Sequence, residues 1–186
     1  MIVRETGREF FPAGPTARPY HWPVILRCTK KLLTVIRPRQ LIDCTPDGED
    51  WYANLLWLSG RKCLLLTHAA TLFTVLEADV RAADLRDPGR LVTGLISREL
   101  LRELLPADTF GRPGPADVSL AKTADRSVLG YMSDMAFMCE TVTTRSGGLA
   151  STDIADLNQA LRRHINSARG YEPPIELTAQ RLRATC

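Results

Sequence analysis

Apolar positions along this chain fall into short, nearly unbroken runs in the first half and into helical periods in the second. Val24–Cys28 is apolar apart from Arg27 and predicts a strand. Thr29 can cap a short helix reaching Ile36, and Pro38 stops it. Residues 43–50 gather turn formers and acids and predict an acidic loop. Trp51–Leu58 and Cys63–Thr67 flank Ser59-Gly60-Arg61-Lys62, the composition of a hairpin with a four-residue loop. Both runs are apolar on two faces, so helices should cover at least part of the sheet. In the next run, 70–78, Thr71, Thr74 and Val75 favour a strand over a helix.

Asp87-Pro88 opens a helix whose leucines and isoleucines carry it to Pro106. The proline- and glycine-rich residues 107–117 predict a loop, and Val118–Ala121 a short strand. Asp125 then caps a helix from about Arg126 to Glu140, with Leu129, Met132, Ala136 and Cys139 as its apolar face. Gly147-Gly148 interrupts the chain. A further helix over Asp153–Ile165 carries an apolar stripe of Ile154, Leu157, Leu161 and Ile165. Its acids sit in the first turn and its bases in the last, as the helix dipole favours. Strands early and helices late predict an α+β fold, a small antiparallel or mixed sheet packed against C-terminal helices. Residues 1–23, broken by Pro15, Pro19 and Pro23, set themselves apart as a flexible arm or extension of a single domain spanning 24–186.

Composition narrows the function classes. The chain has 186 residues, 45% hydrophobic and 24% charged, with a net charge of +3. That charge is too small for bulk attraction to nucleic acid, so any basic surface must be local. No apolar run approaches the ~18 residues of a membrane span. The first 22 residues lack the apolar core of a secretory signal. Five cysteines without a CxxC pair predict reduced, mostly buried thiols and a cytoplasmic protein. His21, His68 and His164 are scattered and form no HxxxH or HExxH motif, which argues against a metal site. Nothing in the pattern calls for a cofactor.

The most distinctive segment is Lys122–Asp134, where cations, hydroxyls, a mid-helix glycine and two acids accompany an apolar helix. Ser127, Gly130 and Asp134 share a face, with Arg126 and Ser133 beside it. Gly130 costs the helix about 1 kcal/mol relative to alanine, a cost that a close approach by a ligand or a neighbour would explain. Lys122, Thr123, Arg126 and Ser127 at a helix start, with its unpaired amides, predict a cradle for an oxyanion or phosphate. The phosphate-loop pattern GxxxxGK[ST] is absent. The competing reading pairs Arg126 with Asp134, Asp117 or Asp125 and seats a packed neighbour on Gly130. Arg27, Thr29, Lys30 and Lys31 form a second group that could add positive charge, and Asn54 is a polar residue on an apolar strand that needs partners.

Three runs carry a resemblance to a known family: Arg-Cys-Thr-Lys-Lys-Leu-Leu (27–33), Asp-Trp-Tyr-Ala-Asn-Leu-Leu (50–56) and Lys-Thr-x-x-Arg-Ser-Val-Leu-Gly-x-Met-x-Asp (122–134). Arg61–Thr67 and Asp-Ile-x-x-Leu-Asn (153–158) add to it. The chain resembles an uncharacterised bacterial and archaeal domain-of-unknown-function family over about Val24 to Leu182. That resemblance implies no reaction, and it strengthens the choice of Lys122, Thr123, Arg126, Ser127, Gly130, Lys30 and Asn54 as ligand-binding candidates. Tyr131 stands where a small residue is expected and could narrow a pocket.

Two function classes follow. One is a ligand- or partner-binding protein that takes a phosphate-bearing ligand, a nucleic acid, a protein partner or a second copy of itself, with Trp51, Tyr52 and Trp57 as interface anchors. The other is a nucleotide- or nucleic-acid-directed enzyme, the toxin of a toxin–antitoxin or phage-defence pair. There Arg126 would stabilise charge while Ser127, Ser133 or Asp134 positions or deprotonates the attacking group. The first is preferred because no complete catalytic set is visible.

Overall fold

The computed structural model describes residues 24–165 and 167–185, so the expected arm 1–23, with His21, and Cys186 lie outside the described residues. Five strands form one mixed sheet in the order β4-β3-β2-β1-β5. They are β1 (Val24–Cys28), β2 (Trp51–Leu58), β3 (Arg61–His68), β4 (Thr74–Glu77) and β5 (Val118–Lys122). β1 runs parallel to both its neighbours, β2 and β5, whereas β2, β3 and β4 are antiparallel. The fold is α+β, with the early strands supplying most of the sheet.

Both faces of the sheet are apolar and both are covered. α1 (Lys30–Ile36) and α2 (Pro88–Arg102) pack over Leu26, Cys28, Ala53, Leu55, Leu64 and Leu66. α3 (Arg126–Arg145) and α4 (Ile154–Arg163) pack over Tyr52, Leu56, Leu65 and Leu76 on the opposite face. Alternate residues of β2 therefore serve two different cores, as the period of a strand dictates.

Local chemistry sets the ends of these elements. Thr29 caps α1 by accepting from the Leu32 amide, Asp87 caps α2 at Arg90, and Asp153 caps α4 at Ala155 and Asp156. The hairpin is tighter than its sequence suggests. Arg61 and Lys62 pair with Leu58 and Trp57, leaving a two-residue turn with Ser59 at φ 50° and Gly60 at φ 76°. Two left-handed residues are what a two-residue turn needs to follow the strand twist. The Ser59 hydroxyl also accepts from the Leu149 amide, fixing the turn against the segment after α3.

Three expectations change. α3 runs on to Arg145; of its expected stripe Met132 and Cys139 are buried and Leu129 and Ala136 partly so, while Val128, Tyr131 and Met135 shift the centre of the buried face. α4 stops at Arg163 and leaves Ile165 exposed, because Arg162 takes the core position instead. Arg162 is buried against the Phe73 ring and pairs with Glu99 (3.1 Å) and Glu103 (2.7 Å). A fifth helix, α5 (Pro174–Thr185), lies beyond the expected elements, and Pro174 occupies a first-turn position that needs no amide donor. Its Arg181 forms a two-pronged pair with Glu49.

Asn158 of α4 performs a task no periodicity announces. Its Oδ1 accepts from the Leu76 amide (2.6 Å) and its Nδ2 donates to the Leu76 carbonyl (2.9 Å). A side-chain amide thus stands in for a neighbouring strand at the outer edge of β4.

His68 is fully buried between Trp51 and Phe110, with Nδ1 3.1 Å from the Thr71 hydroxyl. Burial, with a smaller contribution from Arg181, pushes its pKa down to about 3. The folded protein keeps His68 neutral while the unfolded chain takes up a proton near its ordinary value. Stability from this site is therefore complete above about pH 6.5 and is lost as pH falls toward 3. Urea denaturation should show the wild type losing about 2 kcal/mol more than His68→Phe between pH 7 and pH 5. Parallel losses in both proteins would contradict this assignment.

Candidate functional site

β1 and β5 are adjacent and parallel, and the helices that follow them leave on opposite faces of the sheet, α1 on one side and α3 on the other. Such a divergence opens a crevice outside the carboxyl ends of the two strands, the usual ligand position in open sheets of this kind. The segments leaving these strands are Thr29-Lys30 and Lys122–Arg126, the segments marked by their polar composition.

Three sets of side-chain contacts tie these segments together. Arg27 is 2% exposed, although an arginine interrupting a strand suggests a charge held out for a ligand. Its Nε donates to Asp50, its Nη1 to the Lys122 carbonyl (3.2 Å) and its Nη2 to the Cys44 carbonyl (3.0 Å). Burial opposes the charge, but the Asp50 hydrogen bond and attraction hold the guanidinium pKa above its ordinary value. Arg27 is therefore a buried strut joining β1, β5 and the 44–50 loop, with each of its three nitrogens engaged inside the protein. Thr29 Oγ1 donates to Asn54 Oδ1 (3.0 Å), and the Tyr52 hydroxyl accepts from the Asp125 amide (3.2 Å). Burial raises the Tyr52 phenol above its ordinary pKa. The Arg27–Asp50, Thr29–Asn54 and Tyr52–Asp125 contacts each join two of the runs that carry the family resemblance.

The cradle of free amides expected at the start of α3 is already filled. Asp125 Oδ1 accepts from the amides of Ser127 (2.7 Å) and Val128 (3.3 Å), so the helix start carries its own anion. What faces outward is a set of side chains: Lys30, Lys122, Arg126 and Ser127 are exposed, and Thr123 is half-buried. Among the described residues none of these five side chains makes an ion pair or hydrogen bond. The competing reading, with Arg126 tied to a nearby acid, is not what the structure shows. A methyl group on Gly130 would meet nothing within 4 Å, so no neighbour is seated there either.

A groove of about 400 Å³ adjoins this crevice. β1 ends at Cys28, paired with Ala53, while β2 continues to Leu58 with no strand beside it on that edge. Lys31 of α1 stands on one wall, Ser133, Phe137 and Glu140 of α3 on the other, and Asn54 and Trp57 line the floor. Trp57 is 52% and Phe137 71% exposed. Asn54 Oδ1 is engaged by Thr29, and its Nδ2 has no partner among the described residues.

The candidates therefore divide. Lys30, Lys122, Thr123 and Arg126 lie on the segments at the ends of β1 and β5, while Asn54 and Ser133 share the groove. Ser127 and Asp134 lie on another flank of α3, about 100–120° around the helix from Ser133. Ser133 donates its hydroxyl proton to the Leu129 carbonyl (2.9 Å), so it is not aligned with a general base. Tyr131 does not narrow a pocket: it is buried against the sheet, and burial pushes its phenol up to about 12. Trp51 and Tyr52 are buried as well, leaving Trp57 as the exposed aromatic of the expected interface trio. Phe137 and Glu140 escaped notice; the signal for Phe137 was an aromatic lying off every apolar stripe of its helix.

Cys28, Cys63 and Cys139 are buried and unbridged, with Cys28 and Cys139 pushed up to about 12 by burial, which keeps them protonated and unreactive. Among the described residues no three His, Cys, Asp or Glu side chains gather as a metal site requires, and no helix is long and apolar enough to cross a membrane. The chain belongs to the family DUF6933, a domain of unknown function, whose model matches residues 25–177. No curated protein matches it.

Two substitutions separate scaffold from site. Arg27→Met strands a buried Asp50 carboxylate and should cost about 3–5 kcal/mol in urea denaturation, whereas Arg126→Ala should change stability by less than about 0.5 kcal/mol. Gly130→Ala should raise stability by up to about 1 kcal/mol, read as a higher Tm, since the added methyl meets open space. A fall in Tm would show that the glycine is needed by the fold itself.

Proposed function

We propose that this DUF6933 protein is a binding protein for a phosphate-bearing anion held in the crevice between the carboxyl ends of β1 and β5. The observation that carries this reading is the grouping of Lys30, Lys122 and Arg126, exposed and unpaired among the described residues, where α1 and α3 part. Side chains rather than helix amides do the holding, because Asp125 and Thr29 already cap the two helices. Thr123 adds a hydroxyl donor beside the cations. The buried Arg27–Asp50 pair and the Tyr52–Asp125 contact keep the crevice walls in place before any ligand arrives, which lowers the ordering cost of binding.

A binding role fits the chemistry better than catalysis. The hydroxyl of Ser133 is directed into its own helix, and no histidine or carboxylate is bonded to the hydroxyl of Ser127 or Ser133 among the described residues.

Isothermal titration of the full chain with tripolyphosphate tests the proposal. Binding should weaken as salt rises, since exposed cations are screened. Lys122→Ala and Arg126→Ala should each weaken it by about tenfold, the loss of one charged hydrogen bond. Absence of binding at low salt, or binding indifferent to both substitutions, would reject the crevice as an anion site.

A further inference from the structure

We infer that the anion is the phosphate part of a nucleotide, and that the groove beside the crevice receives its base; this rests on the anion reading above. The groove supplies what a base requires and a simple oxyanion does not. Trp57 and Phe137 are exposed aromatic residues that both line this groove. Such surfaces stack on any base, because every base has a π-face. Lys62 sits 5.6 Å over the Trp57 ring, which positions the indole from the side of the hairpin.

Edge recognition is available as well. With Oδ1 of Asn54 engaged by Thr29, its Nδ2 is left to donate toward a ring nitrogen or carbonyl. The Glu140 carboxylate on the opposite wall can accept from an exocyclic amine or a sugar hydroxyl. Lys31 adds a cation within the groove itself.

The geometry joins the two parts into one track. Arg126, Gly130, Ser133, Phe137 and Glu140 fall within an arc of about 80° on α3. Arg126 and Phe137 are about 16 Å apart along the helix axis, room for a nucleotide carrying several phosphates or for a short single strand. Gly130, the one position on this arc without a side chain, lies between the cationic end and the aromatic end. Open space above it gives the mid-helix glycine a use: it leaves the track unobstructed.

The test compares ATP, a hexauridylate strand, tripolyphosphate and poly-glutamate, each titrated into the full chain. ATP or hexauridylate should bind at least tenfold tighter than tripolyphosphate, the gain expected from stacking one base. Trp57→Ala and Phe137→Ala should remove that gain and leave tripolyphosphate binding unchanged; both side chains are exposed, so neither change threatens the fold. Arg126→Ala should weaken all phosphate ligands together. Tighter binding of ATP identifies a free nucleotide as the source, tighter binding of hexauridylate a single strand, and either supports the inference. Equal affinity for tripolyphosphate and the base-bearing ligands overturns it while leaving the anion site standing. Poly-glutamate binding as tightly as hexauridylate with the same dependence on Trp57 also overturns it, in favour of an acidic polypeptide. Failure of tripolyphosphate alone, with ATP still bound through Trp57 and Phe137, would instead refute the crevice reading.

Discussion

The buried pair between Arg27 and Asp50 governs the organisation of this protein. A guanidinium in the middle of a sheet is costly unless its donors are used, and here they reach a carboxylate and two carbonyls on three different segments. The consequence is geometric. The end of β1, the end of β5 and the loop before β2 are held in one register, and from that fixed point α1 and α3 depart to opposite faces. The crevice is the space their divergence leaves.

Much of this architecture could be read from the chain, because strands, caps and turns are local. The run at Val24, the paired runs about Ser59-Gly60 and the capping residues Thr29, Asp87, Asp125 and Asp153 each declare themselves within a few residues. The mixed sheet follows from apolar runs too two-faced for one solvated side. What was not legible was long-range. Arg27 has the sequence signature of a ligand-facing cation, and only the arrival of Asp50 and the Lys122 carbonyl from distant segments turns it into a strut. Arg162 looked like a base favoured at a helix terminus, and Glu99 with Phe73 draw it inside.

The candidate cations are legible by composition, and the state of the helix amides is not. Lys122, Arg126 and Lys30 are exposed on the segments leaving β5 and β1, yet the amides expected to cradle an anion belong to Asp125. A capping residue and an anion compete for the same donors, and sequence alone presents both as equally polar. Asn54 reads as a buried polar group in search of partners; Thr29 satisfies one side of it, and the groove receives the other. Phe137 shows the limit of periodicity, since a helix pattern identifies the residues facing the core and says little about an apolar one that faces away.

The amide of Asn158, folded over Leu76, bears on how this protein behaves at high concentration. An outermost strand with open main-chain groups offers a template on which other chains can add, the first step toward fibrils and precipitates. On the far side of the sheet Ile42 lies along β5 and bonds to Leu120, so that margin too is partly occupied. Replacing one carboxamide at position 158 would uncover a donor and an acceptor together, and the chain would gain a sticky border without losing its core.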